Sequence, residues 1–189
     1  MDAEHLKPLL VTLMPRLRRF ARTLTNDVAD ADDLMQEACL RALEHAGRLE
    51  AGAPVAPWAF RILRNTWIDE TRRRRVRQGA GTVTADDAAG WNRELQTSAD
   101  GAAHLAASEI EDQVLGLPHG LSAALLLVAV EGYTYREAAE ILGIPAGTVA
   151  SRVAAARARI AEAMREETAG AGHTQDAVGP ETGHQGTTQ

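Results

Sequence analysis

The sequence has one cysteine, Cys39. An intramolecular disulfide and a cysteine-rich metal site are therefore both excluded, and a reducing compartment is expected. Aromatic residues are few, with three Trp, two Tyr and two Phe among 189 residues, and β-branched runs are rare, which argues against sheet. No apolar stretch approaches the roughly 20 residues needed to span a bilayer. The longest, 123–130, has the length of a buried helix segment. The opening Met1-Asp2-Ala3-Glu4 lacks the basic start of a signal peptide, so a cytoplasmic protein with no membrane insertion is expected. Catalytic signatures are missing too. There is no His-Glu-x-x-His, no Walker loop and no paired-cysteine spacing. The six histidines are scattered, and only His45 lies at useful sequence spacing from Cys39. The expectation is a chain with no catalytic residue, metal or cofactor, and hence not an enzyme.

Positive net charge is also lacking, since the total is −6. The distribution matters more than the sum, because phosphate attraction follows the local field. Residues 1–78 carry +3 and residues 79–108 carry −3, whereas residues 109–165 carry −2 and residues 166–189 carry −4. Within the first segment, Arg72, Arg73, Arg74, Arg75 and Arg77 fall in six positions. Such a run serves equally as a solvated helix end or as a contact for nucleic-acid phosphates.

What is abundant is helix former: alanine, leucine, arginine and glutamate. Leu6, Leu9, Leu10, Leu13, Leu17, Phe20, Ala21 and Leu24 recur at steps of three and four, which predicts a first helix of about five turns. Asn26 and Asp27 interrupt it. A second helix, capped by Asp30 or a neighbour, turns Leu34, Ala38, Ala42 and Leu43 inward and Asp33, Glu37, Arg41 and Glu44 outward. A glycine- and proline-bearing loop, 47–57, leads into a third helix with Pro57 in its first turn. On that helix Arg61, Arg64, Asn65, Arg72 and Arg75 follow one polar stripe, and Trp58 and Trp67 fall near the apolar face. Periodicity is lost from Gln78 to about Ala106, where Trp91 stands alone among glycines and acids. A tether is expected there.

A second helical unit begins near Glu109. Leu115-Gly116-Leu117-Pro118 ends a short helix, and Leu121 to Val130 forms another closed by Gly132. Thr134-Tyr135-Arg136-Glu137 reads as a capping box. The helix it opens buries Ala138, Ala139, Ile141 and Leu142, and Gly143 stops it. The last helix runs from about Gly147 to Met164, with Val149, Val153, Ile160 and Met164 inward. Two helices joined at Gly143-Ile144-Pro145 make a candidate helix-turn-helix, whose second helix fits a DNA major groove. The same geometry occurs in plain bundles.

The stretch 132–149, GYTYREAAEILGIPAGTV, resembles the promoter −35 reading domain of extracytoplasmic-function sigma factors. Asp32-Asp33-Leu34-Met35-Gln36-Glu37-Ala38 is similar to the polymerase-binding helix of that family. The run 57–69, PWAFRILRNTWID, with the arginines after it, is similar to the −10 element. The resemblance implies an all-α protein of two small helical domains joined by a flexible acidic linker. The first domain would span residues 1–77, the linker 78–108, the helix-turn-helix domain 109–165 and a disordered tail 166–189. It implies an alternative sigma factor whose partners are core RNA polymerase, promoter DNA and an anti-sigma factor.

By the same resemblance, Asp33, Gln36, Glu37 and Arg41 would face polymerase. Asn65, with the loop 47–56, would hold a −10 base flipped from the stack. Arg61, Arg64 and Arg72, Arg73, Arg74, Arg75 and Arg77 would contact phosphates, which position without reading sequence. Thr148, Ser151, Arg152 and Arg157 would meet −35 DNA. Ala150, Ala154 and Ala155 depart from the family pattern, since a side chain ending at Cβ reaches neither base edge nor phosphate. Two other readings compete: a sigma-like interaction module or decoy that reads DNA poorly, and a polymerase-independent helix-turn-helix regulator, which predicts dimers and palindromic sites.

Overall fold

A computed structural model describes residues 1–25, 27–77 and 114–171 of the chain. The expectations for Asn26, the tether with Trp91, the start near Glu109 and the tail beyond residue 171 lie outside the described residues. Among the described residues every regular element is helical. They are α1 (Ala3–Thr25), α2 (Val28–Glu44), a 3₁₀ turn (Ala46–Arg48), α3 (Val55–Arg77), α4 (His119–Leu125) continuing as a π-helical segment (Leu126–Val130), α5 (Tyr135–Leu142) and α6 (Ala146–Ala171). None of these helices is long and apolar enough to cross a membrane.

Helices α1, α2 and α3 form the first unit. The three-and-four spacing on α1 buries Leu6, Leu10, Leu17, Phe20, Ala21 and Leu24, while Leu9 is exposed and Leu13 only half-buried. The cap of α2 is Asp27, not Asp30. Its carboxylate accepts the Asp30 amide at 2.8 Å, with Asp27 in extended backbone as a cap requires. From there Ala31, Leu34, Met35, Ala38 and Ala42 point inward, and Leu43 packs at the margin. Phe60 and Leu63 bring α3 onto this core, with the Phe60 ring edge-on to Phe20 at 5.2 Å. Trp58 and Trp67 are half-buried against the same cluster, in agreement with their placement near the apolar face.

The second unit is built from α4, its π extension, α5 and α6. The capping box is present: the Glu137 amide donates to Thr134 Oγ1, and the Thr134 amide and hydroxyl both donate to the Glu137 carboxylate. Those bonds hold Glu137 below the usual carboxylate range, the Thr134 hydroxyl contributing most and its amide next. Gly143 ends α5 at φ +59°, a left-handed conformation that favours glycine. On α6, Val149, Val153 and Ala156 are buried and Ile160 half-buried. Two expectations fail here. Met164 is 48% exposed and does not extend the buried stripe. The helix itself passes Met164 and reaches Ala171, into what was expected to be tail, because the alanine-rich sequence contains no breaker before Gly170.

The two units touch, which the tethered picture from sequence did not anticipate. Their buried residues form one continuous cluster from Leu6 to Ala156. Tyr133 stands edge-on to Phe60 at 5.9 Å, and His119 meets Trp67 at 5.9 Å.

Candidate functional site

Three of the four polymerase-facing candidates lie on one exposed stripe of α2. Asp33, Gln36 and Glu37 are exposed, and Arg41 is half-buried below them. Arg41 donates to Glu37 on its own helix at 2.8 Å and to Asp69 of α3 at 2.8 Å. It thus ties the stripe to α3 and fixes its orientation. The two carboxylates, Asp69 before Glu37, hold the Arg41 guanidinium above its usual pKa. Asp69 was not among the expected residues. A partner 28 positions away in sequence leaves no trace in helical periodicity.

Beside this stripe opens a cleft of about 600 Å³. Asp33, Glu37 and Arg41 form one wall and Arg73 and Arg74 another, with Trp67 and His119 also lining it. His119 belongs to the second unit, so both units contribute to the cleft.

The arginine run is less free than its sequence implies. Glu70 lies 3.8 Å from Arg73, 3.1 Å from Arg74 and 3.0 Å from Arg77, and Arg74 also reaches Asp30 of α2 at 3.2 Å. The arginines are exposed and the two acids only half-buried, so each pair is worth at most about 1 kcal/mol. Arg72 is exposed on the same helix end, and Arg75 lies in the same turn. Arg61 and Asn65 are exposed one turn apart on α3, and the Asn65 amide oxygen accepts from Arg64 at 3.1 Å. That bond engages the Asn65 amide oxygen and leaves its NH₂ group as the available donor.

Two expected DNA contacts are drawn in from the surface, one partly and one almost completely. Arg64 is half-buried beneath the second unit, and burial lowers its pKa. Arg152 is 6% exposed and lies in the inward stripe of α6, between Val149 and Val153; burial likewise lowers its pKa. The reason is phase: residues 149, 152, 153 and 156 share one helix face. Ser151 and Arg157 are exposed on the opposite side with Ala154 and Ala155, and Thr148 and Ala150 are half-buried. The Ser151 hydroxyl donates to the Thr148 carbonyl at 3.0 Å. The outward face of the candidate recognition helix thus presents Ser151 and Arg157 among alanines.

The sequence reading also missed Glu131, Arg16 and Arg19. The Glu131 carboxylate accepts from Arg16 Nε and from Arg19 Nη2, the latter at 3.0 Å, although it lies more than 110 positions from either. No local pattern points to such a pairing.

Comparison with known proteins follows the same division. Residues 9–77 match the Sigma-70 region 2 family model and residues 107–160 the Sigma-70 region 4 model. The chain is 34% identical over 158 residues to the ECF RNA polymerase sigma factor EcfG of Rhodopseudomonas palustris, covering 83% of each sequence. It is 32% identical over 149 residues to the ECF RNA polymerase sigma factor SigM of Mycobacterium tuberculosis, covering 79% of this chain and 71% of that one. Among solved structures, the sigma factor RpoE in complex with the anti-sigma factor NepR from Bartonella quintana superimposes with a TM-score of 0.65 at 25% identity, covering 86% of this chain and 98% of that one.

Proposed function

The chain belongs to the extracytoplasmic-function family of RNA polymerase sigma factors and serves transcription initiation as an alternative sigma factor; from that premise we propose how its own residues do so. The first helical unit docks on core RNA polymerase through Asp33, Gln36, Glu37 and Arg41. The observation that carries this reading is the exposed Asp33–Gln36–Glu37 stripe inside the region 2 match, of which Glu37 is braced through Arg41 against Asp69. The braced Glu37 and Arg41 side chains lose less conformational entropy on binding than free ones, which favours specific recognition.

Once docked, α3 meets the −10 element. Arg61 and the arginines of its last turns hold phosphates, and the Asn65 NH₂ reads the edge of a base extruded from the stack. Extrusion costs a few kcal/mol of unstacking, which the trapped base offsets. The second unit presents α6 to the −35 duplex through Thr148, Ser151 and Arg157. It reads weakly, because Ala154 and Ala155 occupy outward positions without reach. That feature favours the decoy as the second reading. A first domain, a linker and a helix-turn-helix domain are the division that the two family matches support, at residues 9–77 and 107–160. A cytoplasmic protein with no chemistry of its own, held in check by an anti-sigma factor, is the reading supported by relatives such as the NepR-bound RpoE.

The test is transcription from a cognate promoter with purified core enzyme. Wild type should support it, and Asp33→Lys with Glu37→Lys should abolish both transcription and core binding at unchanged helicity. Core binding without any transcription would make the decoy the correct reading.

A further inference from the structure

We infer that Glu131, clasped by Arg16 and Arg19, is a latch that holds the two helical units closed over part of the DNA-contacting face. The inference rests on the proposed promoter-binding role of α3.

Glu131 follows the π-helical segment at a helix C-terminus, where the helix dipole disfavours a negative charge. Its side chain is nevertheless 2% exposed. Its ion-pair partners among the described residues come from α1 of the other unit, so the buried carboxylate is compensated only while the units are together. A carboxylate shared by two guanidinium groups is the strong form of charged hydrogen bond. Arg16 also lies over the Phe60 ring, 5.8 Å from its centroid, and Phe60 in turn meets Tyr133. On the far side of the contact, the last turn of α1 presents the Thr23 carbonyl. As a last-turn carbonyl, it has no acceptor role inside its helix. It accepts from Ser122 Oγ at 3.2 Å and lies 3.1 Å from His119 Nδ1, both in the second unit. The closed form therefore satisfies groups that each unit alone would leave to water.

What the latch covers is Arg64. A Cβ placed on Gly143, at the turn of the helix-turn-helix, would lie 2.7 Å from Arg64 Nη1. The turn thus rests directly on the Arg64 guanidinium, the group for which the family resemblance implies a phosphate contact. The closed form is also incompatible with reading both promoter elements. The −10 and −35 elements lie about 25 base pairs apart, roughly 85 Å at 3.4 Å per pair. Here the α3 side chains touch α5 and its flanking turns. Promoter binding requires the units to part, and parting requires Glu131 to leave Arg16 and Arg19.

The test needs neither polymerase nor promoter. In the full-length chain, the rate at which phenylglyoxal modifies Arg64, read by peptide mass spectrometry, reports opening, and small-angle scattering reports overall size. Glu131→Gln should raise the open population, speeding Arg64 modification about tenfold and enlarging the radius of gyration. Arg16→Gln with Arg19→Gln breaks the same pair from its more exposed side, and should do the same should Glu131→Gln lose helicity. Glu131→Arg with Arg16→Glu and Arg19→Glu should return the modification rate toward wild type. A folded variant of either kind with wild-type Arg64 reactivity and size would overturn the latch. Failure of the wild-type chain to support transcription would instead overturn the proposed function and leave this measurement standing.

Discussion

Replacing Phe60 by leucine probes the contact between the two units from the inside. Phe60 is fully buried and makes edge-to-face contacts with Phe20 at 5.2 Å and with Tyr133 at 5.9 Å, the first within its own unit and the second across the interface. Each such aromatic pair contributes about 0.5–1.5 kcal/mol beyond area burial. Phe60→Leu preserves most of the buried apolar volume but loses both pairs and the contact with Arg16, so it should cost about 2 kcal/mol. Phe60→Ala adds a cavity and should cost about 3–5 kcal/mol. The informative quantity is the cross-unit term. In a double-mutant cycle with Tyr133→Leu, followed by urea unfolding with circular dichroism detection, the coupling should be about 1 kcal/mol in magnitude. Residues that do not touch add to within about 0.3–0.5 kcal/mol. Coupling below that limit, with all variants folded, would mean that the two rings are not in contact in solution. Equal costs for Phe60→Leu and Phe60→Ala would refute the assignment of part of the energy to ring geometry.

Further predictions follow from the second unit. Thr134→Ala removes the α5 N-cap and should lower stability by about 1 kcal/mol at pH 7, read by the urea midpoint. Because Glu137 is depressed below its ordinary value by Thr134, its contribution is present at neutral pH. It is lost as pH falls from the ordinary glutamate range through the depressed value, so the acid limb of the stability curve should be flatter in the variant. Ala155→Arg, at an exposed α6 position, should tighten duplex binding by the full-length chain and steepen its log–log salt dependence by about 0.9 if one phosphate contact is gained. An unchanged slope would show that this face of α6 does not meet DNA.

Local physics made much of this protein readable in advance. The three-and-four spacing of Leu6, Leu10, Leu17 and Leu24 and the Thr134–Glu137 capping box each lie within a few residues of one another. Gly143 as a helix stop is equally local. What failed was phase near helix ends and partners distant in sequence. Arg152 reads as a DNA contact by family resemblance, although the inward Val149 and Val153 already share its helix face, where the structure buries it. Arg64 belongs to a polar stripe of α3, and only the arrival of Gly143 from the second unit covers it. Glu131 carries no motif at all, because its meaning is set by two arginines on the first helix. The arginine run was read as a field source, yet Glu70, a few residues before it, occupies three of its members. The acid was visible in the sequence, and helical spacing of three, four and seven would have predicted its contacts.

The π-helical segment gives this protein a mechanical register mark. From Leu126 the backbone bonds reach one residue farther than in an α-helix, as in the 3.0 Å bond from the Glu131 amide to the Leu126 carbonyl. One extra residue inserted into a helix turns everything after it by about 100°, the angular step of a 3.6-residue turn. The segment therefore works as a clocking spacer, setting the direction in which residue 131 leaves the helix. Deleting one residue from Leu126–Val130 would give a more regular helix with its apolar composition nearly intact. It would also swing the Glu131 carboxylate through about a quarter turn, away from Arg16 and Arg19. In this stretch residue count sets the direction of Glu131: an exchange at the exposed Val130 leaves that direction in place, whereas a change in length of one residue does not.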